Sequence, residues 1–397
     1  MQKLRLTHHV GHTSTHSFYI YLAVLFLAFH YFFIVYVNSN FLATFISEKY
    51  IGYLYIFGSL ANIVVLLNAH KLLRRFGNFK LASALILLEI IALLTLGMSK
   101  TFWIIAIAFI VQHAVNPAIL YCLDIVLESH SKNNETGRNR GIFLTILNTP
   151  PIIATVIVGF ILTNNDFSSV YILSSLFLLP LFFIVRSKMY KFEDPHYKKV
   201  AVKDVFKRFN HNRLVRDIFI DNILLQVFYA VMTIYLPLYL YRYIGFSLGE
   251  ISFMFSLMLL PFVLLQIPIG RIVDKKFGEK RFLIAGFLIM CLSMAMVSFI
   301  HTPSILIWIL VLFSTRIGAA IIEITTESYF FKHVDKTDAD MIGVFRMSHA
   351  IAFSIMPLIG TIALNFLSFT TVFILLSLII LAVGLRYAFD LVDDNRS

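Results

Sequence analysis

Charge is what this sequence has least of. Only 14% of its 397 residues are Asp, Glu, Lys or Arg, where a soluble domain carries about a quarter. With 59% hydrophobic residues and a mean hydropathy of +0.83, a water-soluble globular chain is excluded. Cysteine is almost missing: Cys122 and Cys291 both fall inside apolar runs, which leaves no disulfide framework. No Gly-Lys-Ser or Gly-Lys-Thr occurs, so there is no phosphate-cradling loop and no sign of ATP drive. The absence of His-Glu-x-x-His or a comparable ligand set argues against an intramembrane metalloprotease. No catalytic constellation and no cofactor or metal motif is present, so neither an enzyme nor a bound cofactor is expected. Alternating strands of about ten residues are lacking too, which excludes a membrane β-barrel. Met1 to His16 is polar and His-rich, with no hydrophobic leader and cleavage site, so the first apolar run is expected to be retained.

What the chain does have is long apolar runs. A hydrocarbon slab about 30 Å thick needs about 20 residues per helical crossing. Parsing on that length gives twelve segments: 17–39, 50–69, 79–98, 101–127, 142–163, 167–185, 217–241, 251–270, 282–300, 303–331, 342–366 and 368–388. The expected class is an all-α, multi-pass membrane protein with twelve transmembrane helices. An even number of crossings puts both termini on one side, and 29 of the 33 Lys and Arg fall there. Opposite stand only Lys49, Lys100 and Arg242, with Arg316 inside a crossing. Because Lys and Arg are retained on the cytoplasmic side, both termini are expected in the cytoplasm, in a plasma (inner) membrane. The net charge of +11 is absorbed by this orientation and by contact with anionic lipid, so no nucleic-acid partner is implied. The sequon Asn134-Glu135-Thr136 falls on the cytoplasmic side, where it is fortuitous.

The chain also repeats itself. Ala69-His70-Lys71-Leu72-Leu73-Arg74-Arg75-Phe76-Gly77 matches Gly270-Arg271-Ile272-Val273-Asp274-Lys275-Lys276-Phe277-Gly278 at an offset of 201 residues. Lys80 and Arg281 match beyond it, Gly159 and Gly360 keep the offset, and Asp124 precedes Gly141 much as Glu327 precedes Gly343. Two related halves sharing one plan is the mark of a carrier built around the seam between them. The long basic connection Arg186–Arg216 separates the halves, and Val200, Val202, Val205, Phe206 and Phe209 are spaced for a short amphipathic helix on the inner leaflet. A solvated linker is the other reading of that stretch.

The stretch from Gly270 to Arg281 resembles the signature cytoplasmic loop of the major facilitator superfamily: glycine, small or apolar residues, aspartate, basic residues, glycine, basic residues. Here Asp274 and Gly278 stand four apart, one more than the usual spacing. The resemblance implies two pseudo-symmetric six-helix bundles, 1–186 and 216–397, joined by a cytoplasmic central loop, 187–215, and working as a single chain. It also implies a latch, released during the transport cycle, that involves Gly270, Asp274, Lys275, Gly278 and Arg281. Asp274 has the chemistry for that role, since a carboxylate stabilises the positive end of a neighbouring helix or pairs with a cation. The first-half copy carries Leu73 in place of Asp274, so a latch there must use Arg74 or Arg75 with Asp124 or Glu128, and Glu327 is the second-half counterpart of Asp124.

Polar residues at mid-depth are the sharper signal, because a charge at a helix centre costs about 2.5–3.5 kcal/mol to insert. His30 lies in crossing one, His113 in crossing four, Gln226 and Tyr229 in crossing seven and Arg316 in crossing ten. In the superfamily these four crossings line the central cavity, so the resemblance assigns the five residues, with Glu323, to substrate binding or proton coupling. Gln112 and Asn116 flank His113. Arg316 keeps its proton, and Glu323 lies two turns further along the same face. One reading has Arg316 hold an anionic substrate while Glu323 exchanges a proton; the other makes them a permanent structural pair. Glu89 is unexpected, since crossing three is peripheral and lipid-facing in the family. Pro117, Pro150, Pro151, Pro261, Pro268 and Pro357 lie within crossings and free backbone carbonyls for bending. The expectation is a secondary transporter of a small solute, coupled to protons, either exporting amphipathic compounds or importing a small anion. The alternative is a non-transporting scaffold or receptor on the same fold.

Overall fold

The computed structural model describes residues 8–35, 37–46, 48–130, 136–162, 166–190, 194, 207, 211–274, 278–334 and 339–391. Lys275 and nearly all of the proposed central-loop helix lie outside them, as does most of the sequon. Among the described residues there is no strand. Eleven helices are long and apolar enough to cross a membrane, and the shorter apolar run Phe18–Ile34 precedes them. These are the twelve crossings of the sequence. Crossing one is His8–Ile34, two Glu48–Phe76, three Asn78–Met98, four Phe102–His130, six Phe167–Lys188 and seven Arg213–Tyr239. Nine is Glu279–Val297, ten Ile305–His333, eleven Ala339–Phe366 and twelve Phe369–Asp390.

Crossings five and eight are each broken in two. Five runs Thr136–Asn148 and Pro150–Leu162; eight runs Leu248–Met258 and Leu260–Ile272. Both breaks sit where proline removes a backbone donor, at Pro150-Pro151 and Pro261, and a tighter bond spans each (Ile152 N to Thr149 O, 3.3 Å; Phe262 N to Leu259 O, 3.2 Å). Pro117 and Pro268 are carried inside uninterrupted helix.

Local chemistry starts several helices. Asp166 caps crossing six by accepting from Ser169 N at 3.0 Å, and the Ser169 hydroxyl, with that backbone bond, holds its carboxyl below the usual carboxylate range. Ser247 and Glu250 form a reciprocal capping box at the start of crossing eight. Gly77 and Gly278, the matched glycines of the repeat, both precede a helix with positive φ, 77° and 68°. That conformation is costly for any residue with a Cβ, so the duplication is visible in the backbone.

The chain divides into two compact units that do not follow the two halves of the sequence. Unit one is 1–132, 156–200 and 335–346; unit two is 133–155, 201–334 and 347–397. The first part of crossing five therefore belongs with the second-half helices, and the start of crossing eleven with the first-half helices. In unit one, crossings one, three, four and six pack on one another; in unit two, crossing ten packs on seven, eight and nine and on the Thr136–Asn148 helix. Large apolar side chains that remain outside, such as Trp103, Phe160 and Phe183, form the surface that hydrocarbon covers.

Candidate functional site

Two kinds of polar assembly sit within this apolar framework. The first occupies the ends of the crossings on the strongly basic side. Within unit two, the Asp274 carboxylate accepts from the backbone N–H of Gly137 (3.1 Å) and of Arg138 (2.9 Å). These are among the donors that the start of the Thr136–Asn148 helix cannot satisfy internally, so the carboxylate meets both the open N–H groups and the positive helix end. Lys332 joins it at 3.0 Å and also holds Glu279 at 2.6 Å. Gly270 and Gly137 make the approach possible: a Cβ on Gly137 would stand 2.6 Å from Asp274 Oδ1 and 2.7 Å from the Gly270 carbonyl. One turn along, Arg140 is buried, 3.8 Å from Glu327, with its guanidinium 3.2 Å from the centre of the Phe331 ring.

Unit one has its own set. Arg346 forms a two-pronged pair with Asp124, Nε to Oδ2 at 2.6 Å and Nη2 to Oδ1 at 3.1 Å. His70 Nδ1 lies 2.9 Å from Asp340, and the Tyr121 hydroxyl donates to the Ala339 carbonyl at 2.9 Å. Arg75 is exposed and lies over the neighbouring Phe76 ring, so it is Arg346 that meets Asp124 here. Arg281 is likewise exposed, while Gly278 supplies the turn.

The second kind of assembly is at mid-depth. In unit one, His30 is fully buried between three other crossings: Nε2 is 3.0 Å from Glu89 Oε1 and 2.9 Å from Asn116 Nδ2, and Nδ1 is 2.8 Å from Ser174 Oγ. Gln112 Nε2 also donates to Glu89 Oε1, at 3.2 Å. Glu89 is thus no lipid-facing anomaly. Crossing three shows Leu87, Leu88 and Ile91 to the outside and turns Glu89 inward at 0% exposure. His113 separates from its neighbours: Gln112 and Asn116, four apart, share the face toward Glu89, whereas His113 faces crossing two, 3.3 Å from Ser59 Oγ and edge-on to Tyr55.

In unit two, Arg316 is buried with its guanidinium over the faces of Phe228 (5.0 Å) and Tyr229 (5.9 Å). The Tyr229 hydroxyl is buried and makes no hydrogen bond among the described residues. Glu323 Oε2 accepts from Gln266 Nε2 at 2.5 Å and lies 3.4 Å from Asn148 Nδ2. Gln226 is half-buried on the same helix as Tyr229. A separate cavity of about 410 Å³ lies at the opposite end from Asp274, lined by Tyr239, Tyr243, His301 and Phe369.

Several of these partners escape a reading of the sequence. Arg140 precedes Gly141 by one residue and Arg346 follows Gly343 by three, so the repeat does not pair them and only their nearness to the matched glycines marks them. Asn148 and Gln266, single amides in apolar runs, are legible only as mid-depth polar groups. Ser174 and Lys332 carry no signal of their own.

The family model described as Major Facilitator Superfamily matches residues 20–247 and 218–396. A search of curated proteins gives no match. Among solved structures, the chain is similar to the human organic anion transporter MFSD10 (TETRAN), with a TM-score of 0.75 and 11% identity, over 95% of this chain and 99% of that one.

Proposed function

Because the chain belongs to the Major Facilitator Superfamily, and is on that ground a membrane transporter, we propose that it is a secondary carrier that moves a small organic anion by alternating access, coupled to protons. The observation that carries this reading is Arg316, a permanent cation buried at mid-depth in crossing ten among Phe228 and Tyr229. A charge held there at several kcal/mol is retained for a purpose, and aromatic faces around a guanidinium suit a substrate with an apolar body and an anionic head. Tyr229, whose hydroxyl makes no hydrogen bond among the described residues, offers a second donor to that head. Glu323, held by Gln266 and Asn148, is the carboxyl suited to exchange a proton as the anion binds. Gln226, half-buried on the same helix as Tyr229, adds a polar group in this reading.

The basic-end assemblies support a latch. Asp274 on the start of crossing five joins residues 137 positions apart in the chain, and Arg346 with Asp124 joins residues 222 apart. Contacts of this kind, made and broken as a set, are how a carrier closes one end of its path. The bias of Lys and Arg supports both termini in the cytoplasm and residence in the plasma (inner) membrane, with a single chain sufficient for transport.

The test is flux into proteoliposomes of purified protein, using a panel of radiolabelled mono- and dicarboxylates with and without an imposed pH gradient. The expected result is gradient-stimulated flux of at least one anion, reduced to the level of protein-free liposomes by Arg316→Gln at equal incorporation. Unaltered flux in that variant would remove Arg316 from the reading.

A further inference from the structure

The buried cluster of unit one has a hydrogen-bond arithmetic that identifies what it holds. Ser174 has one hydroxyl hydrogen, and the Ser174 Oγ donates it to the His30 backbone carbonyl at 2.9 Å. The same Oγ is 2.8 Å from His30 Nδ1. With its hydrogen already committed, Oγ can only accept, so Nδ1 carries a proton. This fixes one tautomeric position of the ring and leaves Nε2 as the variable site.

Nε2 faces two groups of opposite character: the Glu89 carboxyl Oε1 at 3.0 Å and the Asn116 amide nitrogen at 2.9 Å. Two proton inventories satisfy this geometry. With one proton between Nε2 and Oε1, imidazole and carboxyl bond to each other, the pair is neutral overall, and the Asn116 amide, which also reaches Glu89, donates to the carboxyl instead of the ring. Without it, two lone pairs confront each other, and the amides of Asn116 and Gln112 become the substitute donors, the first to Nε2 and the second to Oε1 at 3.2 Å. Both donors are in place, so the cluster accommodates the pair with and without the shared proton.

We propose that His30 and Glu89 form a one-proton binding site within unit one, separate from Arg316 and Glu323. Its purpose rests on the transporter reading: loading neutralises the pair, and unloading leaves a single negative charge. That charge is poorly provided for while the cluster is closed. His30 and Glu89 are both 0% exposed, and Glu89 Oε2 has no hydrogen-bond partner among the described residues. Burying an unpaired carboxylate in hydrocarbon is costly, so the proton leaves when crossings one and three part enough to admit water. The groups facing the pair are Gln112 and Asn116 from crossing four and Ser174 from crossing six, all uncharged. Neutral surroundings make the shared proton the only change of charge in the cluster.

The experiment is nitrogen NMR of the full chain, purified in detergent with 15N-labelled histidine, titrated from mildly acidic to alkaline solution, with His30 assigned by loss of its signals in His30→Gln. The expected spectrum has Nδ1 protonated throughout and Nε2 moving from hydrogen-shared to unprotonated as the solution becomes alkaline. Glu89→Gln should hold Nε2 unprotonated at every pH. A ring protonated at Nε2 alone, an Nε2 signal that never moves in the wild type, or the same titration in Glu89→Gln would each overturn the proposal. The wild-type spectrum decides the first two outcomes even if the variant fails to fold. No flux is measured, so failure here leaves the transporter reading standing, and failure of the flux assay leaves the proton site testable.

Discussion

Replacing Lys332 by glutamine removes one cation from between two carboxylates, and the structure sets how much that should cost. The ammonium group lies 2.6 Å from Glu279 and 3.0 Å from Asp274, and the three side chains are 13%, 2% and 5% exposed. Breaking a buried pair by deleting one partner costs about 3–5 kcal/mol, because the remaining charge is stranded; the partial exposure of Lys332 puts the expected loss near 3 kcal/mol. Asp274→Asn should be milder. The asparagine oxygen still accepts from the Gly137 or Arg138 N–H, and Lys332 keeps Glu279, so the loss is the charge component of a few hydrogen bonds, about 1.5 kcal/mol. The difference corresponds to roughly a tenfold change in an equilibrium constant. Denaturant unfolding of the purified protein, followed by tryptophan fluorescence or circular dichroism, measures both. A triple variant, Lys332→Met with Asp274→Asn and Glu279→Gln, should recover much of the loss, since no charge is then left without a partner. An Asp274→Asn variant that costs as much as Lys332→Gln, or a triple variant worse than the single, would refute the stranded-charge reasoning.

Other consequences are open to equally direct measurement. Gly137→Ala drives a methyl group to 2.6 Å from Asp274 Oδ1 and 2.7 Å from the Gly270 carbonyl; since the second neighbour is backbone, the expected cost is about 1–3 kcal/mol of stability by the same unfolding assay. Arg346→Lys keeps the charge opposite Asp124 but loses the two-pronged geometry, and should lower stability by about 1–2 kcal/mol, less than Arg346→Met, with a double-mutant cycle against Asp124→Asn isolating the pair. At the cap of crossing six, the carboxyl of Asp166 is held low by Ser169, so its contribution is complete above the ordinary carboxylate range and lost as pH falls through its lowered value. Hydrogen exchange of the Phe167–Ser169 amides should accelerate in acid relative to the intrinsic rate in the wild type, and Asp166→Asn should remove that pH dependence.

The membrane class, the twelve crossings and the duplication are all legible in the sequence, because hydrocarbon imposes a length and a polarity on every crossing. Asp274 is legible in the same way: a carboxylate set between a glycine and a basic turn has few roles at a membrane surface. The side-chain partners are less so. Glu89 reads as misplaced on a peripheral helix until the rotation of crossing three is known, with Leu87, Leu88 and Ile91 outward. His113 sits between Gln112 and Asn116 in number, yet about 100° of helical rotation turns it toward another crossing. Register along the sequence is a one-dimensional quantity, and which face meets which neighbour is decided by packing among helices that are all apolar.

The two halves keep the plan of the basic-end assembly while exchanging its charges. In the second half Asp274 binds the backbone at the start of crossing five. Its first-half counterpart is Leu73, whose side chain cannot accept a hydrogen bond. There the acid has moved to the other partner: Asp340, at the start of crossing eleven, meets His70, the counterpart of Arg271. The helix start at Asn78, where the second half has Glu279, is capped instead by Asp194 from the central loop, through two bonds from Asn78 N at 3.0 and 3.1 Å. Duplication thus preserves the place where a charge is needed, and the sequence of each half is free to supply it from either side.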